Sequence, residues 1–208
     1  MAIQHRALVA LSIAFTASIV AFADFAPGIP QVRYLIVGRL ILAFLLPVAA
    51  TVIWWLFVAL HRSARQPVAG SISASERIGP VTVLFLSAFH VTMLVALIGP
   101  HLWLGRVLGL MVGVFFIATG NELPRLRPNP AWRIGTSQTV AHNDLWRRVH
   151  RLGGYIRVTM GIGLCVAALS SVHRFEPLIV IAVCLETAIY LGASIFFARH
   201  RPLQSVQY

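Results

Sequence analysis

The sequence predicts an all-α, polytopic membrane bundle of six transmembrane helices with both termini in the cytoplasm. Three observations carry this. The chain has 208 residues, 58% hydrophobic and only 11% charged, where a soluble domain carries about 25% charged residues. Its mean hydropathy is +0.81. The apolar residues fall into six long runs, and the arginines gather in every second connection.

The runs are Ala7 to Ala23, Leu40 to Leu60, Ile78 to Ile98, Leu102 to Thr119, Leu152 to Val172 and Leu178 to Ala198. A helix needs about 20 apolar residues to cross the hydrocarbon, with a range of about 17–25. In the first run, AFA before Asp24, preceded by His5 and Arg6, has the form of a signal-peptidase site. Cleavage there would leave five spans and change which connections face inside, so retention as the first span is the expectation. The third run starts beside Pro80, read as a first-turn proline. The fifth carries Gly161, Cys165 and Ala168 at i, i+4 and i+7, a stripe of small residues suited to close helix contact. Cys165 and Cys184 fall within the last two runs and read as small buried thiols. No polar segment is long enough to fold alone, so residues 1–208 read as one membrane domain, with four spans in 1–119 and a loop plus two spans in 120–208.

All 17 basic residues are arginine. Alternating the connections from inside places twelve of them inside (Arg6, Arg62, Arg65, Arg77, Arg125, Arg127, Arg133, Arg147, Arg148, Arg151, Arg199 and Arg201). Four lie outside (Arg33, Arg39, Arg106 and Arg174), and Arg157 lies within the fifth run near its inner end. That bias orients both termini to the cytoplasm. The net charge of +11 does not imply nucleic acid, because the charges are dispersed between apolar runs rather than forming one continuous face. The lipid bilayer is the expected partner.

The most informative connection is GNELPRLRPNPAWRIGTSQTVAHNDLWRRVHRLGG, beginning at Gly120. Gly120 and Asn121 read as the end of the fourth span. Pro124, Pro128 and Pro130 keep the chain extended or turning. Arg125 and Arg127 alternate with Leu126, a spacing suited to phosphate headgroups. Asn143 reads as the cap of a new helix with Asp144 in its first turn, and Trp146 as an interfacial anchor. Two ionisable residues, His90 and Glu186, lie half-way along their runs and read as a candidate intramembrane polar pair.

This connection resembles the signature of the SdpI family of bacterial membrane immunity proteins. That signature has Gly-Asn, a spacer, Pro with basic residues, Pro-Asn, a Gly-Ile-Arg-Thr-Pro-Trp-Thr segment, then Trp, His-Arg and Gly. The matching positions are Gly120, Asn121, Pro124, Arg125, Arg127, Pro128, Asn129, Thr136, Thr139, Trp146, His150, Arg151 and Gly154. The middle departs: in RIGTSQT the Gly and the Arg, here Arg133, are exchanged, and Ser137 and Gln138 replace Pro-Trp. The stretch around Pro30 faintly resembles the DUF1648 segment that often precedes the signature. The resemblance implies immunity and signal transduction: protection from a secreted antimicrobial peptide, and recruitment of a cytoplasmic repressor to the membrane.

A small proton-coupled transporter or channel using His90 and Glu186 is the alternative, and six spans would need a homo-oligomer to enclose a pathway. Catalysis is not expected. Glu122, His142, Asp144 and His150 lack the spacing of a metal site, and no H-E-x-x-H, G-x-S-x-G or Gly-rich phosphate loop is present. Ser170, Ser171 and His173 near the last connection read as a solvated turn. No cofactor or metal is implied.

Overall fold

The computed structural model describes residues 2–24, 32–63, 74–96, 103–126, 142–170 and 176–199. Among them are six α-helices and no strand: α1 (Ala2–Asp24), α2 (Val32–Ser63), α3 (Ala74–Ala96), α4 (Leu104–Glu122), α5 (Asn143–Leu169) and α6 (Glu176–Arg199). A 3-10 turn, Leu123–Arg125, follows α4 directly. Five stretches are long and apolar enough to cross a membrane: Gln4–Phe22, Glu76–Val95, Leu104–Arg125, Asn143–Leu169 and Pro177–Phe197. Helix is the form such sequence takes in hydrocarbon, where each backbone polar group must be satisfied within its own segment. In α2 the described apolar stretch is shorter, Ala43–Ala59. At 1.5 Å per residue it covers about 25 Å, against a hydrocarbon core of about 30 Å.

The chain packs as two compact units, Met1–Met111 and Val112–Tyr208. In the first, α1, α2 and α3 pack against one another. Their buried positions repeat at three and four residues: Ala7, Leu11, Ala14 and Ser18 on α1; Ala43, Pro47 and Ala50 on α2; Val83, Ser87, His90 and Leu94 on α3. Each set is a narrow stripe, and small residues let the backbones approach closely. Large apolar side chains face outward instead, including Leu8, Ile13 and Val20 of α1 and Leu45, Val52 and Leu56 of α2. Small and polar side chains inside with bulky apolar ones outside is the arrangement expected when the surrounding medium is itself apolar.

Pro80 differs from expectation. Because α3 begins at Ala74, Pro80 sits inside the helix rather than in its first turn, and its ring interrupts one backbone bond.

In the second unit, α4 from Val112 onward packs against α5 through two glycine pairs. A Cβ on Gly161 would lie 2.6 Å from the Gly113 carbonyl oxygen, and one on Gly113 would lie 2.7 Å from that of Gly161. One turn-pair away, a Cβ on Gly154 would lie 2.7 Å from Gly120 O, and one on Gly120 would lie 3.1 Å from Gly154 O. Backbone therefore meets backbone at Gly113–Gly161 and Gly120–Gly154. The small-residue stripe of α5 faces inward as expected: Gly161 and Ala168 are buried, and Cys165 Sγ would stand 2.5 Å from a Cβ on Gly113.

Two helix ends are corrected. Gly120 and Asn121 do not terminate α4, which continues to Glu122; Gly120 is needed for the contact with α5. Asn143 is the first residue of α5, not its cap. That position belongs to His142, which makes no side-chain capping bond, while Asp144 does occupy the first turn.

Candidate functional site

The end of α4 and the start of α5 are joined by a clasp. The 3-10 turn brings Leu126 beneath Trp146, whose indole Nε1–H donates to the Leu126 carbonyl at 2.7 Å. Trp146 is 1% exposed. Its ring stacks on His150, with centroids 3.8 Å apart and planes 18° apart. The two meet because they are four residues apart on one helix face. His150 Nδ1 lies 3.0 Å from the Trp146 carbonyl. A carbonyl only accepts, so Nδ1 carries the proton. One turn further on, Pro124 Cγ and Cδ would stand 2.9 Å from a Cβ on Gly154, so the proline ring fits only over glycine. Arg125, largely exposed, pairs with Glu122 at 3.1 Å. Asn121, Arg147, Arg148 and Arg151 are exposed around the clasp.

The structure thus brings together Gly120, Pro124, Trp146, His150 and Gly154 from the sequence-predicted set. Asn121, Arg125 and Arg151 lie at its margin. Arg127, Pro128, Asn129, Thr136 and Thr139 fall outside the described residues, as do the Arg133, Ser137 and Gln138 positions where the resemblance departs.

A second polar constellation lies where α5 meets α6. Glu186, its side chain 5% exposed, has Oε1 2.7 Å from Arg157 Nε. The contact is one of charge, since the Nε–H is not directed along it. The Arg157 guanidinium also lies over the Phe116 ring, 5.1 Å from its centroid. Tyr190 Oη is 2.7 Å from Glu186 Oε1 and 2.7 Å from the Gly153 carbonyl. A Cβ on Gly153 would stand 2.7 Å from the Tyr190 ring, so glycine admits the tyrosine to the backbone.

In the first unit His90, 1% exposed, bonds to Ser18, with Nε2 2.7 Å from Ser18 Oγ. Ser18 Oγ is also 2.8 Å from the Ala14 carbonyl. A hydroxyl has one proton, and the carbonyl needs it, so His90 Nε2–H donates to Ser18. His90 Nδ1 and Ser87 Oγ are then buried without a partner among the described residues.

His90 and Glu186 each have a partner within their own unit. Sequence reasoning passed over three of those partners: Ser18, Tyr190 and Arg157. Two signals were available. Tyr190 follows Glu186 by four residues, which places them on one helix face. Arg157 is a lone base inside an apolar run that needs an acid, and Glu186 is the one acid at mid-span. Neither cysteine is in a disulfide, and Cys184 is exposed rather than buried as expected, while Cys165 is half-buried. Among the described residues no cluster of three or more His, Cys, Asp or Glu could hold a metal.

Comparison of the chain with protein-family models, with curated proteins and with solved structures finds no match.

Proposed function

We propose that this chain is a six-span protein of a bacterial inner membrane, with both termini cytoplasmic. In this reading α2 supplies the sixth span, since Leu40 to Leu60 is uncharged throughout. Its role is binding rather than catalysis: immunity towards a secreted antimicrobial peptide, coupled to capture of a cytoplasmic repressor. The clasp is the observation that supports this. Five of the thirteen positions carrying the resemblance to the SdpI signature, Gly120, Pro124, Trp146, His150 and Gly154, come together there. The motif is then a mount that presents Arg125 at the inner face.

Expression in a host sensitive to such a peptide tests the reading. Survival without solute or proton flux is expected, and loss of survival in R125E/R127E would assign the effect to the loop. Protease added to sealed right-side-out vesicles is expected to spare residues 123–142; cleavage there overturns the topology. Glu186, buried beside Arg157, supports proton-coupled transport as a second reading. Absence of protection together with flux that vanishes in E186Q would favour it.

A further inference from the structure

The row formed by Gly153, Tyr190 and Glu186 is one proton short when Glu186 is ionised. A tyrosine hydroxyl carries one proton, whereas a carbonyl and an ionised carboxylate only accept. Tyr190 Oη is 2.7 Å from both Gly153 O and Glu186 Oε1. With Glu186 ionised, one of those contacts holds two oxygens at hydrogen-bond distance with no hydrogen between them. With Glu186 protonated, both are satisfied: its O–H donates to Tyr190 Oη, and the Tyr190 O–H donates to Gly153 O. Arg157 does not make up the deficit, because its Nε–H is not directed at the oxygen 2.7 Å away.

We propose that Glu186 and Tyr190 form an intramembrane proton-binding site, in which Glu186 alternates between an acid donating to Tyr190 and a carboxylate paired with Arg157. On release the proton passes to water or buffer, and the negative charge left on Glu186 is met by the guanidinium. On uptake the reverse occurs, and Arg157 keeps its contact with the Phe116 ring. Among the described residues, the titratable or charged groups facing Glu186 are Arg157 from α5 and Tyr190 from α6. In the second unit α4 contributes Phe116 here, and its one acid, Glu122, pairs with Arg125.

A route to the site follows from the helix register. The antiparallel contacts Gly153–Tyr190 and Arg157–Glu186 place Ser194 level with Val149 and His150. Ser194 is 0% exposed, and its Oγ has no partner among the described residues. Glu186, Tyr190 and Ser194 follow at four-residue steps, so they share one face of α6. An unpartnered buried hydroxyl at that place suits an internal water. The polar row thus extends from Glu186 towards the clasp, where Arg147, Arg148 and Arg151 are exposed.

This site requires neither a toxin nor flux, so it stands apart from both readings above. Infrared difference spectroscopy of the full chain in liposomes, recorded across a pH titration, tests it. The expected result is a carboxylic-acid carbonyl band that appears and disappears with pH, is lost in E186Q, and is displaced in Y190F, where the acid loses its acceptor. Y190F keeps the carboxyl group, so the test survives a folding defect in E186Q. A wild-type protein with no titrating band attributable to Glu186, or a band unmoved by Y190F, overturns the proposal.

Discussion

Gly161 and Gly163 stand two residues apart on α5 and should respond oppositely to the same added methyl group. A Cβ on Gly161 would lie 2.6 Å from Gly113 O and 2.9 Å from Ile117 N, both backbone atoms, and 2.8 Å from Ile117 Cγ1. Ordinary contact begins at 3.4 Å, so α4 and α5 would have to separate by about 0.8 Å locally. A gap of about 0.5–1 Å forfeits a quarter to a half of each dispersion contact it opens. G161A is therefore expected to destabilise the second unit by about 1–3 kcal/mol, the usual cost of overpacking. A Cβ on Gly163 meets nothing within 4 Å, so G163A is expected to be neutral or to stabilise by about 0.4–1 kcal/mol through the backbone. Unfolding titration of the purified protein in mixed micelles measures both. Equal stability for the two variants, or G161A as the more stable, would refute the close α4–α5 approach.

Three further predictions rest on other contacts. W146F retains the aromatic ring but strands the buried Leu126 carbonyl, and should cost about 1–3 kcal/mol in the same titration. S18A leaves His90 Nε2–H without its acceptor and should cost a similar amount, about 1–3 kcal/mol. The double variant S18A/H90L should lose less than the two single changes added together, because removing both partners leaves no orphan; additive losses would contradict the bond. Any side chain at Gly153 should displace Tyr190, so G153A is expected to abolish the effect of Y190F on the Glu186 carboxyl band. The comparison is made between G153A and G153A/Y190F by infrared spectroscopy.

Much of the architecture was legible in advance. Length and apolar run suffice to place a helix in hydrocarbon, because the backbone there has no solvent to bond to. The end of α1 and both ends of α6 differ from the sequence reading by only one or two residues. Helix ends in the 120–151 connection were harder. A Gly-Asn pair suits the left-handed turn past a helix end, yet glycine also admits a neighbouring backbone, and at Gly120 the second use prevails. The site was legible in its parts but not in its partners. Residue number gives the depth of His90 and Glu186, while facing depends on a polar–apolar contrast between helix sides that these apolar helices lack.

The sequence by itself determined that the chain is helical, that its helices suit lipid, and where its charge and its unusual loop fall, because those follow from hydropathy and chain length alone. Only the tertiary structure decided which neighbours the polar groups find. Ser18 with His90, Arg157 with Glu186, Tyr190 with the Gly153 carbonyl, and Trp146 with Leu126 all depend on how far and at what rotation two segments approach. In the second unit that approach is set by Gly113, Gly120, Gly154 and Gly161, where the absence of a side chain lets one backbone lie against another.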